Sequence, residues 1–102
     1  MYNTMPLGGY DMININKLIF EYKDKELNKK DLFTFEGLSE LFDNNLEYDH
    51  KTSTVQLTTD DIFTYSLQLN NHTTYQDVQN FFETSLEEEG ISEIIEIKVV
   101  KH

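Results

Sequence analysis

From Asp31 to Ile97 the chain runs for sixty-seven residues with fifteen carboxylates, six Asp and nine Glu, and one cation, Lys51. A segment with a net charge of −14 cannot neutralise itself through salt bridges. Its self-repulsion works against any compact state. Such a stretch keeps its acids solvated or presents them to a basic partner. The flanks differ: Lys17 to Lys30 holds five lysines against Glu21, Asp24 and Glu26, and Lys98 and Lys101 lie near the end. Arg is absent throughout, and the formal charge over 102 residues is −11.

Acidity has not removed the material for a core. Hydrophobic residues make up 38% of the chain, with seven Phe and six Tyr, above what a disordered acidic segment carries. The length suits one domain, at roughly 100–200 residues per domain. Without Cys there is no disulfide framework, thiol nucleophile or cysteine zinc site. No apolar run approaches the roughly 18–20 residues of a membrane span. Direct nucleic-acid binding is disfavoured, because phosphate contacts need clustered Lys or Arg. Adhesion to an anionic membrane surface is disfavoured for the same reason. Residues 1–11 lack a basic n-region and a long apolar stretch, and contain the loop signal Pro6-Leu7-Gly8-Gly9. They read as a flexible N-terminal arm or, with Met12 following, as an alternative start, leaving 12–102 as a single acidic domain.

Periodicity supplies the elements. Ile15, Leu18, Ile19 and Tyr22 recur at helical spacing, with Asn14 as cap and Glu21–Lys25 and Glu26–Lys30 as i,i+4 pairs. The alternation Leu18-Phe20-Tyr22 supports a strand about as well, and the helix is slightly favoured for 15–27. Asp31 to Phe35 is a short strand or a helix start. Phe35, Leu38, Leu41 and Phe42 form a short helical face ended by Asp43-Asn44-Asn45. Leu46 and Tyr48, then Val55 and Leu57, then Phe63 to Leu69 read as three strands, with Thr58-Thr59-Asp60-Asp61 as hairpin chemistry. Thr74 to Glu89 is the clearest helix, capped by Thr73 or Thr74, with Thr73 and Gln76 fitting a capping box and Gly90 at the C′ position. Glu93 to Val100 is a last strand, with Ile95, Ile97 and Val99 on one side. The fold class is α+β: a small antiparallel sheet of three to four strands with helices packed on one face, ferredoxin-like if the first element is a strand.

Catalytic chemistry finds little support. His50, His72 and His102 share no helical face and form no ligand pattern, so they read as surface or turn residues. Asp60-Asp61 lacks the calcium-loop context. The serines lack a nucleophile elbow, and Gly8-Gly9 is not a phosphate loop. With no Arg and few Lys, the usual stabilisers of developing negative charge are missing. An enzyme is therefore not expected, nor is a metal or cofactor.

The end of the long helix is the local anomaly. Glu87, Glu88 and Glu89 occupy its last turn, where the helix dipole favours cations by roughly 0.3–1 kcal/mol each. Conflicts of this kind concentrate at functional sites, and the bland alternative is fraying into a solvated loop. Asn80, Glu83 and Glu87 share one polar stripe. Neighbours three or four apart on a helix lie about 5–6 Å apart at Cβ, comparable to the step between phosphates on a nucleic-acid strand. Asp77, Glu83, Glu87, Glu88, Glu89 and Glu93 are the expected partner-binding carboxylates, joined by Asp60 and Asp61. Glu96 lies near this group in sequence.

These residues resemble the small acidic inhibitors of phages and mobile elements that act as DNA mimics, above all the anti-CRISPR proteins directed at RNA-guided nucleases. Met12-Ile13-Asn14-Ile15-Asn16-Lys17-Leu18-Ile19 is similar to the opening of one such inhibitor of type II nucleases, which places a helix before a small antiparallel sheet. The likeness covers these eight residues and transfers no binding residue. It implies a non-enzymatic protein in a bacterial host cytoplasm that binds a basic nucleic-acid-binding nuclease or effector complex. That protein would not bind nucleic acid directly and would be a monomer or homodimer. An immunity protein or antitoxin for a basic toxin is the second expectation. An acidic regulatory or structural domain is the third.

Overall fold

Two readings compete for residues 15–27, and strand pairing decides between them. The chain is described by a computed structural model over residues 12–59 and 64–101. Ile15–Lys17 forms one 3-10 turn, with the Asn14 side chain accepting from the Asn16 N–H at 3.0 Å. Helical geometry stops there. Ile19–Asp24 is strand β1, not the expected helix. The alternation wins because β1 is a central strand, hydrogen-bonded on both edges. It pairs antiparallel with β2 (Lys29–Thr34) and with β6 (Ile95–Lys101), which leaves Phe20 fully enclosed. The Asp24 carboxylate shapes the β1–β2 turn by accepting from the N–H groups of Glu26 and Leu27, both at 3.0 Å. Asn28 completes the turn at φ 53°, a left-handed conformation Asn tolerates.

Thr34 ends β2 and starts α1 (Phe35–Leu41), its hydroxyl accepting from the Gly37 N–H at 3.1 Å. Of the expected apolar face Phe35 and Leu38 are buried in the core and Phe42 packs partly against it, but Leu41 is exposed, and Asp43 and Asn44 turn the chain away at φ 56° and 64°. Strands β3 (Leu46–Asp49), β4 (Thr54–Thr58) and β5 (Thr64–Gln68) follow. They pair antiparallel in the order β3-β4-β5. The turn expected between β4 and β5, with Asp60 and Asp61, lies outside the described residues, as does the N-terminal arm 1–11.

Helix α2 (Tyr75–Glu88) starts on Thr74. Its capping box joins Thr74 to Asp77, where the sequence suggested Thr73 and Gln76. The Asp77 N–H donates to Thr74 Oγ1 at 3.1 Å, and the Thr74 N–H donates to Asp77 Oδ2 at 2.8 Å. Thr73 instead accepts from the Asn70 N–H at 2.9 Å, bracing the turn before the helix. At the other end Gly90 adopts φ 75°. The N–H groups of Ile91 and Gly90 reach the carbonyls of Leu86 and Glu87, both at 3.0 Å, the paired bonds of a Schellman motif.

Among the described residues the result is an α+β fold with two α-helices and two small antiparallel sheets of three strands, β2-β1-β6 and β3-β4-β5, in place of a single sheet. One core joins both sheets. Phe20 of β1 meets Phe82 of α2 edge-on at 5.4 Å and Phe35 of α1 at 6.3 Å. Leu46, Val55 and Leu57 enter from the second sheet, Leu69 from just after β5, and Ile97 from β6. Each such side chain contributes roughly 1.5–3 kcal/mol through burial.

An edge of the first sheet is closed by a side chain. Gln79 of α2 donates from Nε2 to the Ile97 carbonyl at 2.8 Å and accepts at Oε1 from the Val99 N–H at 2.7 Å. Its amide takes the place a neighbouring strand would occupy on β6. Uncovered edges are templates for pairing with other chains, and covering them is a standard remedy. Among the described residues no helix is long and apolar enough to cross a membrane.

Candidate partner-binding surface

Charge segregation along the sequence becomes segregation in space. Seven of the eight lysines belong to β1, β2, β6, their hairpin or the turn leading into β1. Between Phe35 and Ile94 the described residues carry eleven carboxylates against Lys51 alone. Pairing places Lys30, Lys23 and Glu96 in one row across the first sheet, and Leu32, Glu21 and Lys98 in the next. The one ion pair among the described residues, Lys98–Glu96 at 3.6 Å, is on this sheet. The acids of the remainder are therefore not consumed in internal salt bridges.

Helical geometry divides the expected carboxylates of α2 into separate groups. Glu83 and Glu87, one turn apart and both exposed, line a groove of about 170 Å³ together with Glu96 of β6. Lys25 reaches the same groove from the β1–β2 turn, its ammonium donating to the Ser92 carbonyl at 2.6 Å. Glu93 is exposed in the turn before β6. Glu88 and Glu89 turn the other way, toward β5. The Tyr65 hydroxyl donates to Glu89 Oε2 at 2.8 Å, and this bond is the main reason its pKa is pushed up to about 12. Partial burial and the negative charges of Glu89 and Glu88 add to the shift. Asp77 is occupied by the capping box. Three of the expected acids thus have structural partners or neighbours (Asp77, Glu88, Glu89), while Glu83, Glu87 and Glu93 are presented to solvent.

The helix end is closed by hydrogen bonds. Its terminal carbonyls are taken by the Schellman bonds and Glu89 is tied to Tyr65, so the unfavourable dipole is met by local hydrogen bonds where a cation is lacking. Tyr65 sits in the cleanest alternating run of the sequence, but nothing there marks its partner. A second acidic groove gathers four residues that sequence spacing does not group. It measures about 490 Å³ and lies between α1 and β3, with Glu36, Glu47, Asp49 and His50 on its walls. His50 meets Tyr48 edge-on at 4.8 Å. No group of three or more His, Asp or Glu among the described residues is arranged to hold a metal ion. No family model matches the chain, and no curated protein or solved structure is significantly similar to it.

Proposed function

We propose that this protein is an acidic inhibitor that occupies the basic nucleic-acid-binding cleft of a bacterial defence nuclease and competes there with DNA. What supports the reading is the set of carboxylates that α2 and β6 carry around one groove, Glu83 and Glu87 without an ion-pair partner among the described residues and Glu96 paired only with Lys98 at 3.6 Å, continued by Glu93. Nucleases of this type hold duplex and displaced strands with Lys and Arg, and a rigid acidic surface competes for those groups. Rigidity matters, because a preordered array loses less entropy on binding than flexible acids do. The packed core beneath α2 and its capped ends provide that rigidity.

The experiment is capture on immobilised protein from a bacterial lysate at low salt, elution by rising salt, and identification of what is retained. A DNA-binding nuclease displaced by duplex DNA is the expected result. Replacing three acids as Glu83/Glu87/Glu88→Gln leaves the Tyr65–Glu89 bond in place and should weaken binding about tenfold, at roughly 0.2–1 kcal/mol per exposed charge. Retention of a toxin without nucleic-acid competition would move the function to that of an immunity protein. Undiminished affinity of the triple variant would remove α2 from the interface.

A further inference from the structure

We infer that the open edge of β3 is a docking site for an extended segment of a partner protein, alternating cationic and apolar residues, which adds to the second sheet as a fourth strand. The inference does not rest on the function proposed above, since it concerns another groove and another mode of contact.

Hydrogen-bond direction shows which backbone groups of this edge face outward. The Thr58 N–H donates to the Asn45 carbonyl at 2.8 Å, which fixes the alternation along the β3–β4 pair. Asn45, Glu47 and Asp49 then direct their backbone groups toward β4, and Leu46 and Tyr48 direct theirs outward. Ser39 of α1 confirms the phase by donating its hydroxyl to the outward Leu46 carbonyl. The next outward groups are those of Tyr48. Gln79 takes two outward groups of β6, whereas β3 and β5 each have one outward carbonyl taken, Leu46 by Ser39 and Gln68 by Thr73 at 3.3 Å, and β2 carries Lys29 and Lys30, residues that commonly keep an edge from pairing.

A groove runs along this edge. Leu46, Glu47, Tyr48, Asp49 and His50 all line it, with α1 as its far wall. Alternate residues of a strand face opposite sides of the sheet, so five in succession line one groove only when it follows the strand's edge. Its volume of about 490 Å³ has room for a short extended segment.

The side chains define what fits. Glu47 and Asp49 project from the exposed face of the second sheet, and Glu36 adds a carboxylate from α1. Tyr48 and Phe35 line the inner side. A strand laid against β3 would place every second residue beside Glu47 and Asp49, where a Lys or Arg is matched, and the residues between beside Tyr48 and Phe35, where an apolar side chain is matched. Main-chain bonds supply affinity and alternating pockets supply selectivity in this mode of recognition.

The test is an amide-resolved NMR titration of the full chain at low salt with a capped hexapeptide of alternating lysine and valine. A second peptide of the same sequence, N-methylated at alternate positions, cannot form the ladder. The expected result is shift changes confined to residues 35–50 and slowed hydrogen exchange at the Tyr48 N–H. A loss of about tenfold or more in affinity is expected on N-methylation, and another in the exposed Glu47→Lys variant. Equal binding of the N-methylated peptide would reduce the contact to charge alone and overturn the inference. So would perturbation centred on Glu83 to Glu89, or no binding at millimolar peptide.

Discussion

Replacing Gln79 with Met removes the amide that closes the β6 edge while keeping length, volume and helix propensity nearly constant. Two hydrogen bonds are lost, to Ile97 and Val99. A typical intramolecular bond contributes about 0.5–1.5 kcal/mol net, and a buried group left unsatisfied costs about 1–3 kcal/mol. Both bonds are only partly buried, so water can reach the freed carbonyl and N–H, and the lower range applies. The expected loss is about 2 kcal/mol. For a domain of this length that lowers Tm by roughly 8–16 °C, at about 4–8 °C per kcal/mol. Urea unfolding followed by far-UV circular dichroism gives the free energy, and an unchanged m-value shows that the denatured state is not the source. Sedimentation of the folded variant reads the second consequence, since an uncovered β6 edge should associate with concentration where the wild type does not. A variant as stable as the wild type, with no new association, would refute the account of Gln79 as an edge cover.

Alkaline titration tests the Tyr65–Glu89 bond. The folded phenol, at about 12, lies above its ordinary value of 10.0. Its contribution to stability is therefore complete below pH 10.0 and lost as pH climbs through about 12. Absorbance of tyrosinate should show this late step vanish in Tyr65→Phe and move toward 10.0 in Glu89→Gln, and an unmoved step in the Gln variant would refute the assignment. Gly90→Ala should cost about 1–2 kcal/mol in the same urea assay, purely through the left-handed backbone. No atom lies within 4 Å of the added Cβ, so a cost much above that range would point to contacts the fold does not contain.

The clear helix and the β1 ambiguity show where sequence reasoning carries and where it stops. Helix α2 was legible because its determinants are local: apolar positions at helical spacing, a threonine before them and a glycine after. Its cap was narrowed to Thr73 or Thr74, and its capping box fell one residue early, because each threonine is followed three positions later by an acceptor, Gln76 or Asp77, and only the fold selects between them. Residues 15–27 satisfied two periodicities at once. The deciding partner, β6, lies about seventy residues further along, beyond the reach of any local window. The division of Glu87 from Glu88 follows from helical rotation alone, but what each faces depends on where β5 and β6 pack. Gln79 read as one polar residue among several on α2. Its task exists only because β6 ends a sheet beside it.

The gathering of lysines on the first sheet has a consequence for motion before contact. Positive and negative charge have different centres in this molecule, which gives it a permanent dipole as well as a net charge. In the field of a cationic surface such a body feels a torque and turns as it diffuses, its more acidic part leading. Pre-rotation removes part of the orientational search that slows most protein encounters to about 10⁵–10⁷ M⁻¹s⁻¹. The five lysines clustered within Lys17 to Lys30 thus do more than soften the total charge. They give the acidic face a direction.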